Sequence, residues 1–579
     1  MRIPIAIILL VSFFLAACSS DQEQAEGDRP ARGADWVLRG GAFFTVDGEQ
    51  PWAEAVAIDG ERFVYVGDDA GTASFITDST RVSDLGGRLV IPGMVDAHTH
   101  PGYMGRFGLT RATMTATTPE GVLEEVRQYA DAHPDLPWIV MYGFPVEAYD
   151  KFGPHREALD RVVPDRPVFL LGSIGHSRWF NSRALELMGV DRNTPDAVPD
   201  LSLFVRDAEG ELTGWTKEYA VLPYLAPFLK RDPEANREGT LRFLDYLSSQ
   251  GVMSLMDAGN RNYHDEAYSS LAELDRSGRL PVRYEGIYHI YLPEQVPGAI
   301  AELLRLRRTY GGDRLKFNTI KIHFDGTNEI RTGAVLEDFS DDPGNRGNTL
   351  IDEDELYRFI LALHEEELDL HLHTVGDRAV RIALNAVERA RKAIDGSLYT
   401  QVTLCHLEVI DPADFPRFRE LGVLANYTPW WHGHFENDTT RLSLGSRQPR
   451  TFLAQPLFDD GAIVTFSSDV TSLDSIPQSN PFFGIQTGHN RQRPEDGPDA
   501  PIRMPLTERL RLDDLIKGYT LNGAIQLRMD ADIGSIEAGK LADFVVLDQN
   551  LFEIDRYRIQ DLKPDAVVME GRLIHGELN

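Results

Sequence analysis

Cysteine is nearly absent: the 579 residues contain two, Cys18 and Cys405. A disulfide framework is thereby excluded as the source of stability, which must come from buried apolar surface. Positive charge is also scarce, with 58 Lys and Arg against 90 Asp and Glu and a formal net charge of -32. So acidic a surface repels phosphate backbones, which excludes nucleic acid as a partner and predicts a soluble, self-repelling exterior. Long apolar runs are missing apart from Ile3 to Leu15, which is short for a membrane span. No short-period repeat or low-complexity tract occurs. What the chain does have is length, enough for roughly two to four ordinary domains or one oversized α/β barrel with attachments.

The first twenty residues, MRIPIAIILLVSFFLAACSS, combine one early Arg2, an apolar run and small residues before Cys18, the layout of an export signal. The quartet Leu15-Ala16-Ala17-Cys18 resembles the lipobox of bacterial lipoproteins. That resemblance implies a signal peptide over 1–17 and an acylated Cys18 holding the exported chain on a membrane, each buried CH₂ contributing roughly 0.8 kcal/mol. Ser19, rather than an acidic residue, follows Cys18 and points to the periplasmic face of the outer membrane. Residues 18–33 then form a polar tether without apolar period. With Cys18 acylated, Cys405 has no partner for a disulfide.

Short apolar runs broken by Gly and Asp fill 34–90 and recur over 532–579, each too poor in apolar surface to form a sandwich alone. One small β-sandwich built from both ends of the chain is expected. Between them, over 91–531, strand-like runs alternate with amphipathic stretches such as PEGVLEEVRQYADA and DELYRFILALHEEE, the pattern of parallel βα units. The candidate strands after VIPGMVDAHTH are WIVMYG, PVFLLG, GVMSLMDA, PVRYEGIYH, TIKIHFDG, LDLHLHTVGD, VTLCHLEV and AIVTFSSD. So many units predict a closed TIM-like (β/α)8 barrel.

Residues two apart on a strand share a face. Asp96, His98 and His100 therefore point together, as do Lys321 with His323, Asp369 with His371 and His373, and Thr465 with Ser467 and Asp469. Barrel enzymes carry their chemistry at these C-terminal strand ends. Spacing supports the barrel, since a βα unit takes roughly 30 residues or somewhat more. Lys321 to His373 is 52 residues and His373 to His406 is 33, one unit each, while His406 to Asp469 is 63, two units. His100 to Lys321 is 221, about twice what three units need. An insertion at about 105–245 follows, and the polar ends fall on the first, fourth, fifth, sixth and eighth strands.

The ordered set IPGMVDAHTHP, GHSRWFNSRAL, GVMSLMDAG, IKIHFDGT, HTVGDRAV, CHLEV, SSDVTSLDSIP and IGSIEAGKLADFVVLD resembles the amidohydrolase superfamily. Within it, the likeness is to the YtcJ-like amidohydrolase family 3, which includes N-substituted formamide deformylase, and it covers nearly everything from Ala34 onward. The resemblance implies that His98 and His100 bind a first divalent metal with Asp469, and that His373 and His406 bind a second. It also implies that Lys321 is N-carboxylated and bridges the two, where a salt-bridge partner in a polar strand is the alternative. Imidazole and carboxylate suit two zinc ions or a similar first-row pair, which lower a bridging water's pKa toward about 7 and polarise a substrate carbonyl. Asp469 would shuttle the proton to the leaving nitrogen.

The resemblance further places His176 near the substrate as an oxyanion donor, where a helix-capping loop histidine is the plainer alternative. Glu218 matches a common acidic position without an assigned role. His323 and His371 depart from the family pattern and either add ligands or line the barrel. Trp430 and Trp431 form an aromatic substrate wall or simply pack. Cys405, one residue from His406, is expected to face away from it as a buried structural thiol. The function implied is metal-dependent hydrolysis of a C–N bond in a small amide, formamide or cyclic amide. An ester, lactone or carbamate hydrolase and a non-catalytic ligand-binding lipoprotein are the alternatives. A deaminase is disfavoured because TVGD, not an early Glu, follows His373.

Overall fold

The computed structural model describes residues 33–108, 112–228, 232–394, 396–433 and 440–578. Cys18, the signal segment and nearly all of the tether lie outside them. Among the described residues no helix is long and apolar enough to cross a membrane.

Eight parallel strands form the central barrel: β1 Met94–Thr99, β2 Val252–Asp257, β3 Arg283–Ile290, β4 Leu315–Ile322, β5 Asp369–Thr374, β6 Val402–His406, β7 Leu424–Tyr427 and β8 Val464–Phe466. Alternation explains their faces. On β5, Leu370 and Leu372 join the main apolar core, in which the Glu353–Glu365 helix buries Leu356, Phe359, Ile360 and Leu363, the spacing of one helical face. Asp352 caps that helix by accepting from the Glu355 amide. The polar alternates on β5 are left to the barrel interior. The seam between β8 and β1 is closed just past their ends: the Asp469 amide donates to His98 O at 2.9 Å and His100 N to Val470 O at 3.3 Å.

Both ends of the chain meet in one six-stranded sheet, where Leu89–Pro92 runs parallel to Ala42–Phe44 and antiparallel to Phe544–Leu547. A second sheet of four strands, including Trp36–Arg39 and Ala55–Asp59, shares its core through Trp36, Ile58, Phe63, Val90 and Phe544. Gly93 marks the crossing into β1. A Cβ there would meet Met253 Sδ at 2.6 Å, so a side chain would force the end of Met253 aside.

Two expected strands lie elsewhere. WIVMYG and PVFLLG become Ile139–Phe144 and Val168–Gly172, parallel partners in a separate six-stranded sheet with Ser177–Phe180 and Leu212–Lys217. Their apolar runs are strand-like, but they pack on their own core around Val126, Leu159, Leu170 and Trp179. The barrel position left open is filled by β7, the strand that the two-unit spacing from His406 to Asp469 calls for.

Candidate active site

The structure brings His98, His100, His406 and Asp469 together at the C-terminal mouth of the barrel. Asp469 Oδ1 lies 3.4 Å from His98 Nε2 and 3.2 Å from His100 Nε2, and its Oδ2 lies 3.6 Å from His406 Nδ1. Asp96 sets this arrangement: its carboxylate accepts from Ser468 N at 3.0 Å and Ser468 Oγ at 2.6 Å, fastening the chain beyond β8 to β1. The Gly259 carbonyl accepts from His100 Nδ1 at 3.2 Å, which turns Nε2 toward Asp469. Asp257 in turn accepts from Gly259 N at 3.0 Å and Tyr284 OH at 2.8 Å, so a buried carboxylate orients the loop that orients the histidine.

Electrostatics favour a cation here. Burial, then the charge of Lys321, holds His98 and His371 well below the ordinary imidazole range, and burial does the same for His373 and His406. Neutral imidazole is the form that binds metal. Burial alone would raise Asp469, but His100, His406 and Lys321 outweigh it and the carboxyl is held below its usual value. An anionic carboxylate beside the neutral imidazoles of His98 and His406, with His406 Nδ1 buried and without a hydrogen bond, fits a divalent cation.

Two strand ends reach this mouth by leaving the strand pattern. Cys405 is in register with His373 and points inward, its Sγ 3.7 Å from Lys321 Nζ. The expectation that it faces away from the site is therefore wrong. His406 still reaches Asp469 because the backbone turns left-handed at His406 (φ 75°) and Leu407 (φ 48°). Asp469, three residues past β8, does likewise at φ 48°. Such conformations cost non-glycine residues on the order of 1–3 kcal/mol and concentrate at functional sites.

Lys321 Nζ is buried 3.1 Å from His98 Nε2 and forms no ion pair among the described residues, so a salt-bridge role has no partner. His371 supports His98, its Nε2 standing 2.9 Å from His98 Nδ1. His373 has its ring 4.3 Å from that of His406, and the Gly326 carbonyl accepts from its Nε2 at 3.3 Å.

His373 also belongs to a second histidine group with His176 and His323, whose ligand-capable atoms lie within 4.8 Å of one another. Glu218 organises it. This fully buried carboxylate lies 2.7 Å from His176 Nδ1 and 3.0 Å from His323 Nε2, and its other oxygen accepts from Thr332 Oγ1 at 2.8 Å. Burial opposes the charge, but His176 and His323 hold Glu218 far below the ordinary carboxylate range. The insertion sheet explains the meeting: Ser177 pairs with Lys217, so His176 and Glu218 are the next rung. His176 therefore binds a buried acid rather than capping a helix. The helix after it is capped by Asn181.

A cavity of about 950 Å³ opens over these residues, walled by Tyr142, Phe169, His176 and Tyr219 from the insertion and by Trp430 and Trp431 after β7. Trp431 stacks on His406 with ring centroids 5.5 Å apart, and Trp430 Nε1 donates to Ser468 O at 2.7 Å. His432 instead is fully buried against Tyr427 and Phe452, and His434 lies outside the described residues. Arg261 and His289, which no motif singled out, also line the cavity. Register shows the missed signal for His289, which sits opposite Lys321 on β3.

Comparison with known proteins agrees with this architecture. The chain is 26% identical over 562 residues to the YtcJ protein of Bacillus subtilis (strain 168), covering 93% of this chain and 99% of that one. It is 23% identical over 543 residues to N-substituted formamide deformylase of Arthrobacter pascens, covering 91% and 96%. Among solved structures, an uncharacterized metal-dependent hydrolase from Pyrococcus horikoshii OT3 shares the fold with a TM-score of 0.64 at 22% identity, covering 93% of this chain and all of the other. The family model described as the Amidohydrolase family matches residues 81–575, and the chain belongs to that family.

Proposed function

We propose that the protein is a metal-dependent hydrolase that cleaves the C–N bond of a small amide, formamide or cyclic amide. The observation that carries this is one carboxylate, Asp469, set against the imidazole nitrogens of His98, His100 and His406 at the floor of a cavity of about 950 Å³. His98, His100 and Asp469 would hold one cation and His373 and His406 another, zinc being the ion that best suits these donors. Such ions, when bound, supply a nucleophilic water at neutral pH and polarise the substrate carbonyl.

Lys321 would bridge them once its neutral amine has added to carbon dioxide, forming an N–C bond and releasing a proton. Its burial and its lack of an ion pair among the described residues support this. Asp469 takes the proton of the attacking water and returns it to the departing nitrogen. His176, oriented by Glu218, hydrogen-bonds the carbonyl oxygen as charge develops there. Trp430 and Trp431 wall the substrate, and His323 fixes Glu218 from the barrel side. The formamide deformylase among the relatives makes N-substituted formamides the first substrates to test. We also propose export and anchorage through an acylated Cys18.

The test is turnover of a panel of formamides, acetamides and cyclic amides, matched with esters and lactones, before and after chelation. Amide hydrolysis lost on chelation and restored by zinc supports the proposal. Hydrolysis confined to esters, or undiminished without metal, overturns it.

A further inference from the structure

Beside the metal-ligating cluster, the cavity wall carries positive charge that the protein does not neutralise. Arg178 and Arg261 line it, and neither forms an ion pair with a carboxylate among the described residues. Arg178 is almost fully buried and donates to the Glu218 backbone carbonyl. Arg261 lies 5.1 Å over Tyr103 and 4.3 Å over Tyr219, and donates to Tyr219 OH at 2.8 Å. Its Nε is buried without a partner. The nearby carboxylates are otherwise engaged, Glu218 by His176, His323 and Thr332, and Asp469 by His98 and His100. In a chain of net charge -32, unpaired guanidinium in a cavity is not for want of acids.

A second, independent feature adjoins it. His289, 2% exposed, lines the same cavity with neither ring nitrogen hydrogen-bonded. Its ring lies 6.4 Å from that of Tyr219, which thus touches both Arg261 and His289. Buried polar atoms without partners in a ligand cavity are atoms a ligand satisfies. Two backbone features place these groups. Arg261 itself is left-handed (φ 48°), and Gly259, where a Cβ would come within 2.3 Å of His289 Nδ1, lets the loop after β2 pass over that ring. The position relative to the chemistry is also defined: Tyr103 stacks on His100 with ring centroids 4.9 Å apart, and Arg261 lies on Tyr103.

We infer that the substrate bears a carboxylate on its non-reacting part, which docks between the Arg261 guanidinium and His289. Arginine offers two parallel donors matched to a carboxylate, and a neutral imidazole adds a third. The substrate class is then an N-acylated or N-formylated amino acid, or a cyclic amide bearing an acid group. The inference rests on the reading that this cavity cleaves amides.

The test uses two probes that differ only in charge, N-formyl-L-phenylalanine and N-formyl-L-phenylalaninamide, measured for calorimetric binding and for turnover on the metal-loaded protein. The wild type should bind the acid at least about tenfold more tightly than the amide. Arg261→Gln, which keeps a donor for Tyr219 and removes the charge, should bring the two to near parity, whereas Arg261→Lys should keep part of the preference. His289→Asn should weaken the preference with the tyrosine stack in place. Equal binding of the probes by the wild type, or an undiminished preference in a folded Arg261→Gln protein, overturns the inference. A preference in binding with no turnover of any amide leaves the anion site standing and overturns the proposed reaction. Hydrolysis of both probes at equal efficiency does the reverse.

Discussion

Replacing Glu218 by Gln isolates the buried carboxylate that joins the insertion to the barrel. The side chain keeps its shape but loses its charge and one acceptor, and its new amide faces a histidine N–H or Thr332 Oγ1. Losing one charge-assisted hydrogen bond in a buried setting and leaving a donor unpaired costs about 2–4 kcal/mol. That cost should appear as a lower urea midpoint at unchanged slope. Freed from its partner, His176 no longer holds one orientation, and kcat/KM for the amide should fall roughly 10- to 100-fold, about 1.4–2.8 kcal/mol. Metal content should not change, because the side chains that Glu218 touches, His176, His323 and Thr332, are not among the proposed ligands. Kinetics, urea denaturation and elemental analysis on one preparation test all three. Unchanged kcat/KM would refute the positioning role, and loss of metal in step with activity would show that the His176, His323 and His373 group is itself a cation site.

Three further outcomes are expected. Lys321→Ala should lose metal and activity together, with partial rescue of both by small carboxylates, and full activity in that variant would remove the bridging role. Burial pushes Glu285 up to about 7, against hydrogen bonds from Asn318 that lower it. Because the unfolded chain ionises this group near its ordinary 4.5, stability should decline as pH rises from there to about 7, on the order of 3 kcal/mol in all. Glu285→Gln should flatten that decline in urea midpoints measured from pH 4 to 8, and an identical decline in the variant would refute it. Cys18→Ala should move the protein from membranes to the soluble fraction of a bacterial host, and unchanged membrane retention would refute acylation at that residue.

Much of the site is legible in strand alternation. His98 with His100, and His371 with His373, share faces because β1 and β5 are regular there, and the spacings between Lys321, His373 and His406 count βα units correctly. Alternation fails where backbone turns left-handed. It assigns Cys405 and His406 to opposite faces, yet both reach the interior because the chain reverses its handedness at His406. Register across distant segments is likewise invisible in a linear reading. Glu218 meets His176 because Ser177 pairs with Lys217 across the insertion. Arg261 escapes notice because its meaning lies in having no ion pair with a carboxylate among the described residues, which only three dimensions reveal.

In the proposed enzyme His98, His100, His373, His406, Lys321 and Asp469 form one metal centre on the cavity floor. Anomalous diffraction at the zinc edge, from crystals of zinc-loaded protein, tests it directly. Two peaks a few Å apart are expected, one among His98, His100 and Asp469 and the other at His373 and His406, with density bridging both from Lys321 Nζ. A fully active protein whose only anomalous scatterers lie elsewhere, or none at all, would contradict it.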